Sequence, residues 1–303
     1  MQIPLKCTVM GSFHSLATVS GTAPGTGFSV FAVSPVAKCV TIPPRYFFVE
    51  KGSVMARFAV ILAAAGKSTR FRDPNKRKKP FIDLKGRAVW VRAAEVFVNR
   101  DDVVQSLIAI SPDDMEWFKE KFRPNLAFME IEIVEGGASR AESVYNALQQ
   151  VRDDVDFVAI HDAARPLITR DWVTEVFQAA EANGAAIPAL PASATLKRVD
   201  ADNQIVETIS REGLWAAQTP QVFRRELLLE AFEKRGELNA TDEAQLVEQL
   251  GHKVKVVRGW PMNIKLTSSA DLGMAIALVN ALPKPKGIGP LHPFADEEPR
   301  SLF

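Results

Sequence analysis

Short apolar runs alternate with amphipathic segments along most of the chain. The apolar runs predict buried strands at 58–62, 103–110, 129–134, 157–160 and 185–189. The amphipathic segments predict helices at 88–99, 112–122, 139–151, 171–182, 224–234, 242–250 and 269–282. Strands that alternate with helices of this length form βαβ units with right-handed crossovers. The pattern therefore predicts a three-layer α/β fold, in which helices cover both faces of a mainly parallel sheet.

The rhythm breaks at about residues 192–217. Residues 195–199 and 204–209 alternate apolar and polar side chains, and the stretch between them, from Asp200 to Asn203, consists mostly of turn residues. The segment is predicted to be a protruding β-hairpin. Because it has few apolar residues of its own to bury, we expect it to pack on something else, such as a second subunit, and so to act as a dimerisation arm.

Both ends of the chain differ in composition from the region between them. Residues 1–54 are rich in Ser, Thr, Gly, Pro and Val, with Glu50 as their only acidic residue. We expect a disordered leader, a transit peptide or sequence upstream of the true start, for which Met55 is a natural candidate. Residues 283–303 are rich in Pro and are predicted to be a disordered tail. One domain over 55–282 remains.

Composition excludes several classes of protein. The net charge is +1, with 47% hydrophobic and 24% charged residues, so no basic excess suggests nucleic-acid binding. No apolar run reaches the roughly 18 residues of a membrane span. The cysteines, Cys7 and Cys39, precede the predicted domain, which excludes a disulfide framework within it. We expect a cytoplasmic protein, or a plastid stromal one if residues 1–54 are a transit peptide.

The first predicted strand leads into a turn of small residues, Ala63-Ala64-Ala65-Gly66, and then into a basic segment. A ligand could approach this backbone closely, and the cations would suit a triphosphate. The P-loop motif does not match, because it needs Gly where Ile61 stands. The Rossmann fingerprint does not match either, because Gly66 is the only glycine in the stretch from Phe58 to Phe71. An ordinary turn beside a solvated basic loop remains the alternative. The cations are Lys67, Arg70, Arg72, Lys76, Arg77, Lys78 and Lys79.

The third predicted strand is followed by Gly136 and Gly137, and then by a helix that Ser139 could cap. Two glycines would let a flat base or ribose lie on the backbone. We expect free N–H groups at the start of this helix, beside Arg140 and Ser143. A simple loop with an N-cap is the alternative interpretation.

Asp162 follows the fourth predicted strand, where parallel sheets bind their ligands. A lone carboxylate that shares its ion with substrate phosphates suits Mg²⁺, and Arg165 offers a fork to a phosphate. A local ion pair between the two is the alternative. His161 is predicted to be structural, because four scattered histidines form no metal-ligand cluster. Lys265 alternates out of an apolar, strand-like segment and could point into the same cleft, or could be an ordinary surface lysine.

Taken together, these motifs resemble the cytidylyltransferases of the nucleotide-diphospho-sugar transferase fold, a Rossmann-like architecture. The resemblance is strongest to the 2-C-methyl-D-erythritol 4-phosphate cytidylyltransferase family of the non-mevalonate isoprenoid pathway, and it covers about residues 57–282. The motifs that carry it are Ala64-Ala65-Gly66 with Arg70, Lys79-Pro80-Phe81, Gly136-Gly137 with Arg140 and Ser143, His161-Asp162-Ala163-Ala164-Arg165-Pro166, Thr219-Pro220-Gln221, Thr241-Asp242-Glu243-Ala244, and Asn263-Ile264-Lys265 with Thr267.

The resemblance implies transfer of CMP from CTP to methylerythritol phosphate with release of pyrophosphate, and it assigns roles residue by residue. The catalytic residues would be Arg70, Lys79 and Lys265. The nucleotide site would comprise Ala64, Ala65, Gly66, Gly136, Gly137, Arg140 and Ser143. The acceptor site would comprise Thr195, Arg165, Arg211, Thr219 and Thr241, with Arg211 reaching the partner subunit's substrate. Asp162 would bind Mg²⁺ or another divalent cation, and the hairpin would join a homodimer.

Four positions depart from the family pattern: Ser68 stands for a usual Gly, Pro80 for a usual Gln, and Ala138 and Met262 for frequent acidic residues. They put the phosphate loop, a ribose contact and a metal contact in doubt, but none removes a charged phosphate ligand. Two other functions stay open at this point. One is a cytidylyltransferase for another polyol phosphate, such as ribitol 5-phosphate, and the other is an inactive nucleotide-binding relative.

Overall fold

The computed structural model describes residues 55–66, 78–238 and 240–283. The predicted leader and tail lie outside the described residues, and so do Arg70, Ser68 and most of the basic segment. None of the helices in the described ranges is both long enough and apolar enough to cross a membrane.

The elements follow one another in the predicted alternating order. The strands are β1 (Phe58–Ala63), β2 (Asp83–Leu84), β3 (Arg87–Ala88), β4 (Val103–Ile110), β5 (Ile131–Glu135), β6 (Phe157–Asp162), β7 (Ala185–Pro191), β8 (Leu196–Val199), β9 (Ile205–Ile209), β10 (Trp215–Ala217), β11 (Gln221–Arg224) and β12 (Lys255–Arg258). The helices are α1 (Val89–Val98), α2 (Met115–Met129), α3 (Arg140–Leu148), α4 (Arg170–Asn183), α5 (Arg225–Glu233), α6 (Glu243–Gln249) and α7 (Ser269–Leu278).

The main sheet has the order β5-β4-β1-β6-β11-β7, and both β10 and β12 also pair with β7. The β1, β4, β5 and β6 strands pair in parallel, whereas β11 is antiparallel to both of its neighbours. The strands β8 and β9 form a separate antiparallel hairpin whose turn is closed by Asp200 and Gln204, with Asn203 left-handed at φ 59°. The predicted fold class and the hairpin are therefore confirmed, while its role in dimerisation stays a prediction.

Two apolar layers sandwich the sheet, because β1 sends alternate side chains to opposite faces. Phe58, Val60 and Leu62 pack with α1, α2 and α4, while Ala59 and Ile61 pack with α3, α5 and α6. All five side chains are at most 1% exposed. Burial on both faces explains why this strand is a continuous apolar run. It also fixes the end of β1 between β4 and β6, which is where the candidate site lies.

The prediction for α2 was wrong at both ends. The helix was predicted to begin at residue 112, but Pro112–Asp114 form a 3₁₀ turn that precedes it. The helix then runs through Pro124 to Met129 rather than ending at residue 122. Its apolar stripe continues past the proline, since Leu126 and Met129 pack against the same core as Phe118. This tertiary packing outweighs the hydrogen bond that a proline removes.

The segment around Lys265 is also not a strand. Residues 259–267 form a loop between β12 and α7, joined to the rest of the fold by hydrogen bonds such as Leu266 N–H to Ala164 O at 2.9 Å. The short strands β2, β3, β10, β11 and β12 were not predicted. Each has two to four residues, which is too few for an alternating pattern to stand out.

A buried polar chain joins the end of β6 to the segment that enters β11. His161 is fully buried, and its Nε2 lies 3.1 Å from the carbonyl oxygen of Arg165. Because a carbonyl only accepts, Nε2 carries the proton and Nδ1 accepts from the Thr219 hydroxyl at 3.0 Å. That hydroxyl oxygen in turn accepts the Asp162 N–H at 3.1 Å. The structural role predicted for His161 agrees with these contacts.

This arrangement makes stability depend on pH. Burial lowers the pKa of His161 to about 4, whereas an unfolded histidine titrates near about 6.5. Between these values the unfolded state binds the extra proton, so stability is full above about pH 6.5 and falls as the pH drops towards 4, by about 3 kcal/mol in total. Urea unfolding of His161→Gln should show a smaller loss of stability between pH 7 and pH 4.5 than the unchanged protein. Parallel curves for the two proteins would contradict a neutral, buried His161.

Candidate active site

The candidate site is a cavity of about 550 Å³ at the carboxyl ends of β1 and β6. Most of the predicted nucleotide and catalytic residues line it, namely Ala64, Ala65, Gly66, Gly137, Arg140, Ser143, Lys79, Asp162 and Lys265. Segments as far apart as the turn after β1 and the loop before α7 therefore converge on one volume. Lys78, from the predicted basic segment, lines the same cavity, and so do Ser111 and Asp113, which were not predicted as site residues.

One wall of the cavity is backbone that packs too closely for larger residues. Gly136 donates its N–H to Ile110 O at 2.7 Å, which continues the sheet past β5. A Cβ at Gly136 would lie 2.5 Å from the Cβ of Ala65, and one at Gly137 would lie 2.4 Å from the Cβ of Glu142. The turn after β1 and the glycine pair are therefore in direct contact, and both positions require glycine.

The expectation of free N–H groups at the start of α3 was wrong for three residues. Gly137 N–H donates to Ser143 Oγ at 3.0 Å, and Ala138 N–H donates to Glu142 Oε2 at 2.7 Å. Ser139 caps the helix in a capping box with Glu142, which also accepts the Ser139 N–H. The side chain of Ser143 thus holds the loop in shape. What this wall offers a ligand is a flat, preformed backbone surface.

Another part of the lining is built around the carboxylate of Asp162, whose side chain is 7% exposed. Lys265 Nζ lies 2.8 Å from its Oδ2, Arg165 Nε lies 3.4 Å from the same oxygen, and Arg140 Nε lies 3.2 Å from Oδ1. Burial alone would raise the pKa of Asp162, but these three cations hold it far below its usual value. Asp162 is therefore ionised, and the group as a whole is cationic.

Two of these cations are themselves held by other groups. The Arg140 guanidinium also donates from Nη1 to Glu243 Oε1 at 2.6 Å, and Arg165 donates from Nη1 to Asn263 O at 2.8 Å. Burial lowers the pKa of Arg140, but Glu243 and Asp162 together raise it above its usual value. Lys265 is the most exposed of the three, at 42% for its side chain. It is thus the cation that a ligand could most easily recruit.

Gln218 fixes the loop that leads to Lys265, and sequence reasoning missed it. Its Oε1 accepts from Trp260 N–H at 3.1 Å, and its Nε2 donates to Trp260 O at 3.0 Å. Asn263 adds a bond from Nδ2 to Thr219 O at 2.9 Å, and Trp260 stacks on Trp172 with ring centroids 4.8 Å apart. No local pattern marks Gln218 in advance, whereas Glu243 stands in the motif Thr241-Asp242-Glu243-Ala244 but was assigned no role.

The predicted acceptor residues do not stay together. Arg165 joins the group around Asp162, whereas Thr195 and Arg211 are exposed on the hairpin segment, where Arg211 Nη1 donates to Ser193 O. Thr241 is exposed beside the start of α6, and the hydroxyl of Thr219 is buried in the chain that reaches His161. The structure thus brings most of the predicted nucleotide residues together, and of the predicted acceptor residues it adds Arg165 to the same group.

The carboxylates of the cavity are compatible with a divalent cation that a substrate also binds. Within the described ranges, no three His, Cys, Asp or Glu side chains are grouped as metal ligands. Asp162 is an ionised carboxylate on the wall of a cavity large enough for a nucleotide, and Asp113 lines the same cavity. Mg²⁺ is held in such sites by one or two carboxylates together with water and substrate phosphates. The residues present therefore fit Mg²⁺ that arrives with a phosphate ligand.

Comparisons with known proteins agree with this geometry. The sequence model of the family described as 2-C-methyl-D-erythritol 4-phosphate cytidylyltransferase (IspD) matches residues 58–281. The chain is 37% identical over 225 residues to the protein of that name from Alkaliphilus oremlandii, covering 73% of this chain and 94% of the relative. It is 39% identical over 236 residues to the one from Rhodopirellula baltica, covering 74% and 96%.

A solved structure of the Francisella tularensis enzyme of this name superposes with a TM-score of 0.63 at 29% identity, covering 73% of this chain and 98% of that one. The fold, the match to the family's sequence model and the identity to its members all lead to the same assignment. This chain belongs to the 2-C-methyl-D-erythritol 4-phosphate cytidylyltransferase family.

Proposed function

We propose that this chain transfers the CMP group of CTP to 2-C-methyl-D-erythritol 4-phosphate, which gives 4-diphosphocytidyl-2-C-methyl-D-erythritol and pyrophosphate. This is the reaction of its family. The observation that carries the proposal at the level of residues is the cationic group around Asp162. It lines the same cavity as the backbone of the turn after β1 and of Gly137, and this cavity has room for a nucleoside.

The reaction is an in-line displacement at phosphorus. An oxygen of the acceptor phosphate attacks the α-phosphorus of CTP and forms a new P–O bond. The bond from that phosphorus to the oxygen bridging the β-phosphate breaks, and its electron pair leaves with pyrophosphate. No protein group needs to become covalently attached, so the protein acts by positioning the reactants and by stabilising negative charge.

The cations divide that task between them. Lys265 is proposed to stabilise charge at the α-phosphate, since its ammonium lies at the mouth of the cavity beside Asp162. Lys79, which lines the same cavity, and Arg70, outside the described residues, are proposed to hold the β- and γ-phosphates. Ala64, Ala65 and the glycine pair would contact the cytosine and ribose through their backbone. Arg140 would support that pocket from the side.

Asp162 would hold the divalent cation. A cation bound there would offset the charge of the triphosphate oxygens, which is the chemistry that Mg²⁺ supplies in phosphoryl transfer. Before it binds, the Asp162 carboxylate is occupied by Lys265, Arg165 and Arg140. These cations keep the carboxylate ionised and ready at the cavity wall.

The acceptor half of the site is proposed to be completed by a second copy of the chain. The hairpin exposes large apolar side chains, with Ile205 at 64%, Val206 at 62% and Val199 at 49%. Exposed apolar surface on a protruding element favours an interface. Burial of the hairpin in a homodimer would place Arg211 near the partner's acceptor, together with the Thr195, Arg165, Thr219 and Thr241 of that partner.

The direct test is pyrophosphate release from CTP with Mg²⁺, with methylerythritol 4-phosphate or ribitol 5-phosphate as acceptor. We expect release with the first acceptor only. Release with ribitol 5-phosphate alone would support the proposed nucleotide site but would show that methylerythritol 4-phosphate is not the acceptor. CTP binding without release for either acceptor would support an inactive nucleotide-binding protein instead.

Lys265→Ala should reduce kcat by about 10²- to 10³-fold, the usual effect of losing one group that stabilises developing charge. Its fold should be kept, because Arg140 and Arg165 still compensate Asp162. Lys255→Ala is the matched control, since Lys255 is an exposed lysine on β12. Steady-state kinetics and thermal unfolding check both variants, and normal turnover in Lys265→Ala would reject the role of this lysine.

Arg211→Ala should raise the KM of the acceptor at least about tenfold, as expected for a lost charged contact to phosphate, while the KM of CTP changes little. Arg198→Ala, an exposed arginine on the same hairpin that pairs with Glu207, is the control and should leave both constants unchanged. If Arg211→Ala changed both constants equally, the residue would not act on the acceptor. The dimer itself is checked by sedimentation, where a monomer at assay concentration would exclude a shared site.

A further inference from the structure

Glu243 is a buried carboxylate whose burial the fold does not explain. Its side chain is 1% exposed, and its Oε1 accepts from Arg140 Nη1 at 2.6 Å. Its other oxygen, Oε2, is buried and has no hydrogen-bond partner among the described residues. Burial raises the pKa of Glu243, although Arg140 opposes the shift. A half-satisfied buried carboxylate costs stability, so it needs a reason.

Capping of α6 is not that reason. The preceding residue, Asp242, caps the helix by accepting from Gln245 N–H at 3.1 Å. The amide of Gln221 then donates to Asp242 Oδ2 at 2.9 Å and accepts from Ala244 N–H at 3.0 Å. The start of the helix is thus secured without the charge of Glu243.

The position of Arg140 gives the carboxylate a reason. A guanidinium beside a single carboxylate tends to bind it through two parallel hydrogen bonds. Here Arg140 reaches Asp162 through Nε alone at 3.2 Å, and its Nη1 is drawn to Glu243. Only Oδ1 of Asp162 is used by Arg140, so Oδ2 stays with Lys265 and Arg165.

We propose that Glu243 is a positioning residue, which anchors the Arg140 guanidinium through Nη1 so that only its Nε contacts Asp162, at Oδ1, and Oδ2 of Asp162 stays paired with Lys265, the cation that the bound nucleotide would recruit. The inference rests on the proposed function, because it concerns the same nucleotide site. Glu243 acts through Arg140 and does not line the cavity itself.

A purely structural ion pair is the competing explanation, and the two differ in what they predict for stability. In Glu243→Gln, Arg140 keeps Asp162 as a partner and remains 29% exposed, so it is not left as an isolated buried charge. The variant also replaces a buried carboxylate by a neutral amide, whose burial costs less even when one of its polar groups has no partner. We therefore expect its unfolding midpoint to be unchanged or higher, while its function falls.

The experiment compares Glu243→Gln with Glu243→Asp, and uses Glu248→Gln, an exposed position on the same helix, as the control. For Glu243→Gln we expect kcat/KM for CTP to fall at least tenfold, with the KM of the acceptor within about twofold of its normal value. Glu243→Asp keeps the charge on a shorter side chain and should be intermediate. A lower unfolding midpoint that accompanies the loss of activity in Glu243→Gln would indicate a purely structural role and overturn the proposal.

A double-mutant cycle tests whether Glu243 acts through Arg140. If it does, Arg140→Gln with Glu243→Gln together should be no worse than Arg140→Gln alone, whereas independent, additive losses would overturn the inference. CTP affinity, measured by calorimetry without any acceptor, should weaken at least tenfold in Glu243→Gln. That measurement separates the two proposals, because it holds even if the acceptor proves to be a different polyol phosphate.

Discussion

The structure depends on keeping one ionised carboxylate, that of Asp162, almost out of water. A carboxylate in such a place is unstable by several kcal/mol unless charged partners surround it. Arg140 comes from the start of a helix, Arg165 from the turn after the strand, and Lys265 from a loop a hundred residues later. The fold must therefore bring three distant segments together before this carboxylate can be buried.

Neutral groups hold these charged segments in place. His161 is uncharged at neutral pH and joins the end of its strand to Thr219, while Gln218 fixes the loop that leads to Lys265. Glu243 adds a charge where a neutral group would have sufficed for packing alone. The stability that offsets these polar groups comes from the two apolar layers on either side of β1. The apolar layers on the sheet thus supply most of the stability, and the polar contacts position the residues of the site.

The periodicity of the sequence predicted those features that are determined by residues near one another in the chain. The apolar run at β1 and the placement of Asp162 at a strand end followed from strand periodicity and parallel topology. The extent of α2 did not, because packing of Leu126 and Met129 carries the helix past Pro124. Glu243 could not be predicted from the sequence by itself, because its meaning lies in a contact with Arg140, 103 residues away. A side-chain contact of this range leaves no trace in periodicity.

The two halves of the proposed site also differ in what holds them in place. The nucleotide half is built from strand ends and from a glycine pair that touches Ala65, so the sheet fixes it within one chain. The proposed acceptor half includes Thr195 and Arg211, which lie on an exposed hairpin that the core does not hold. The nucleotide half is formed by the sheet and would need no second chain. A half carried by the hairpin would need a surface to pack against before its residues could converge, and burial of the exposed apolar side chains of the hairpin would favour that packing.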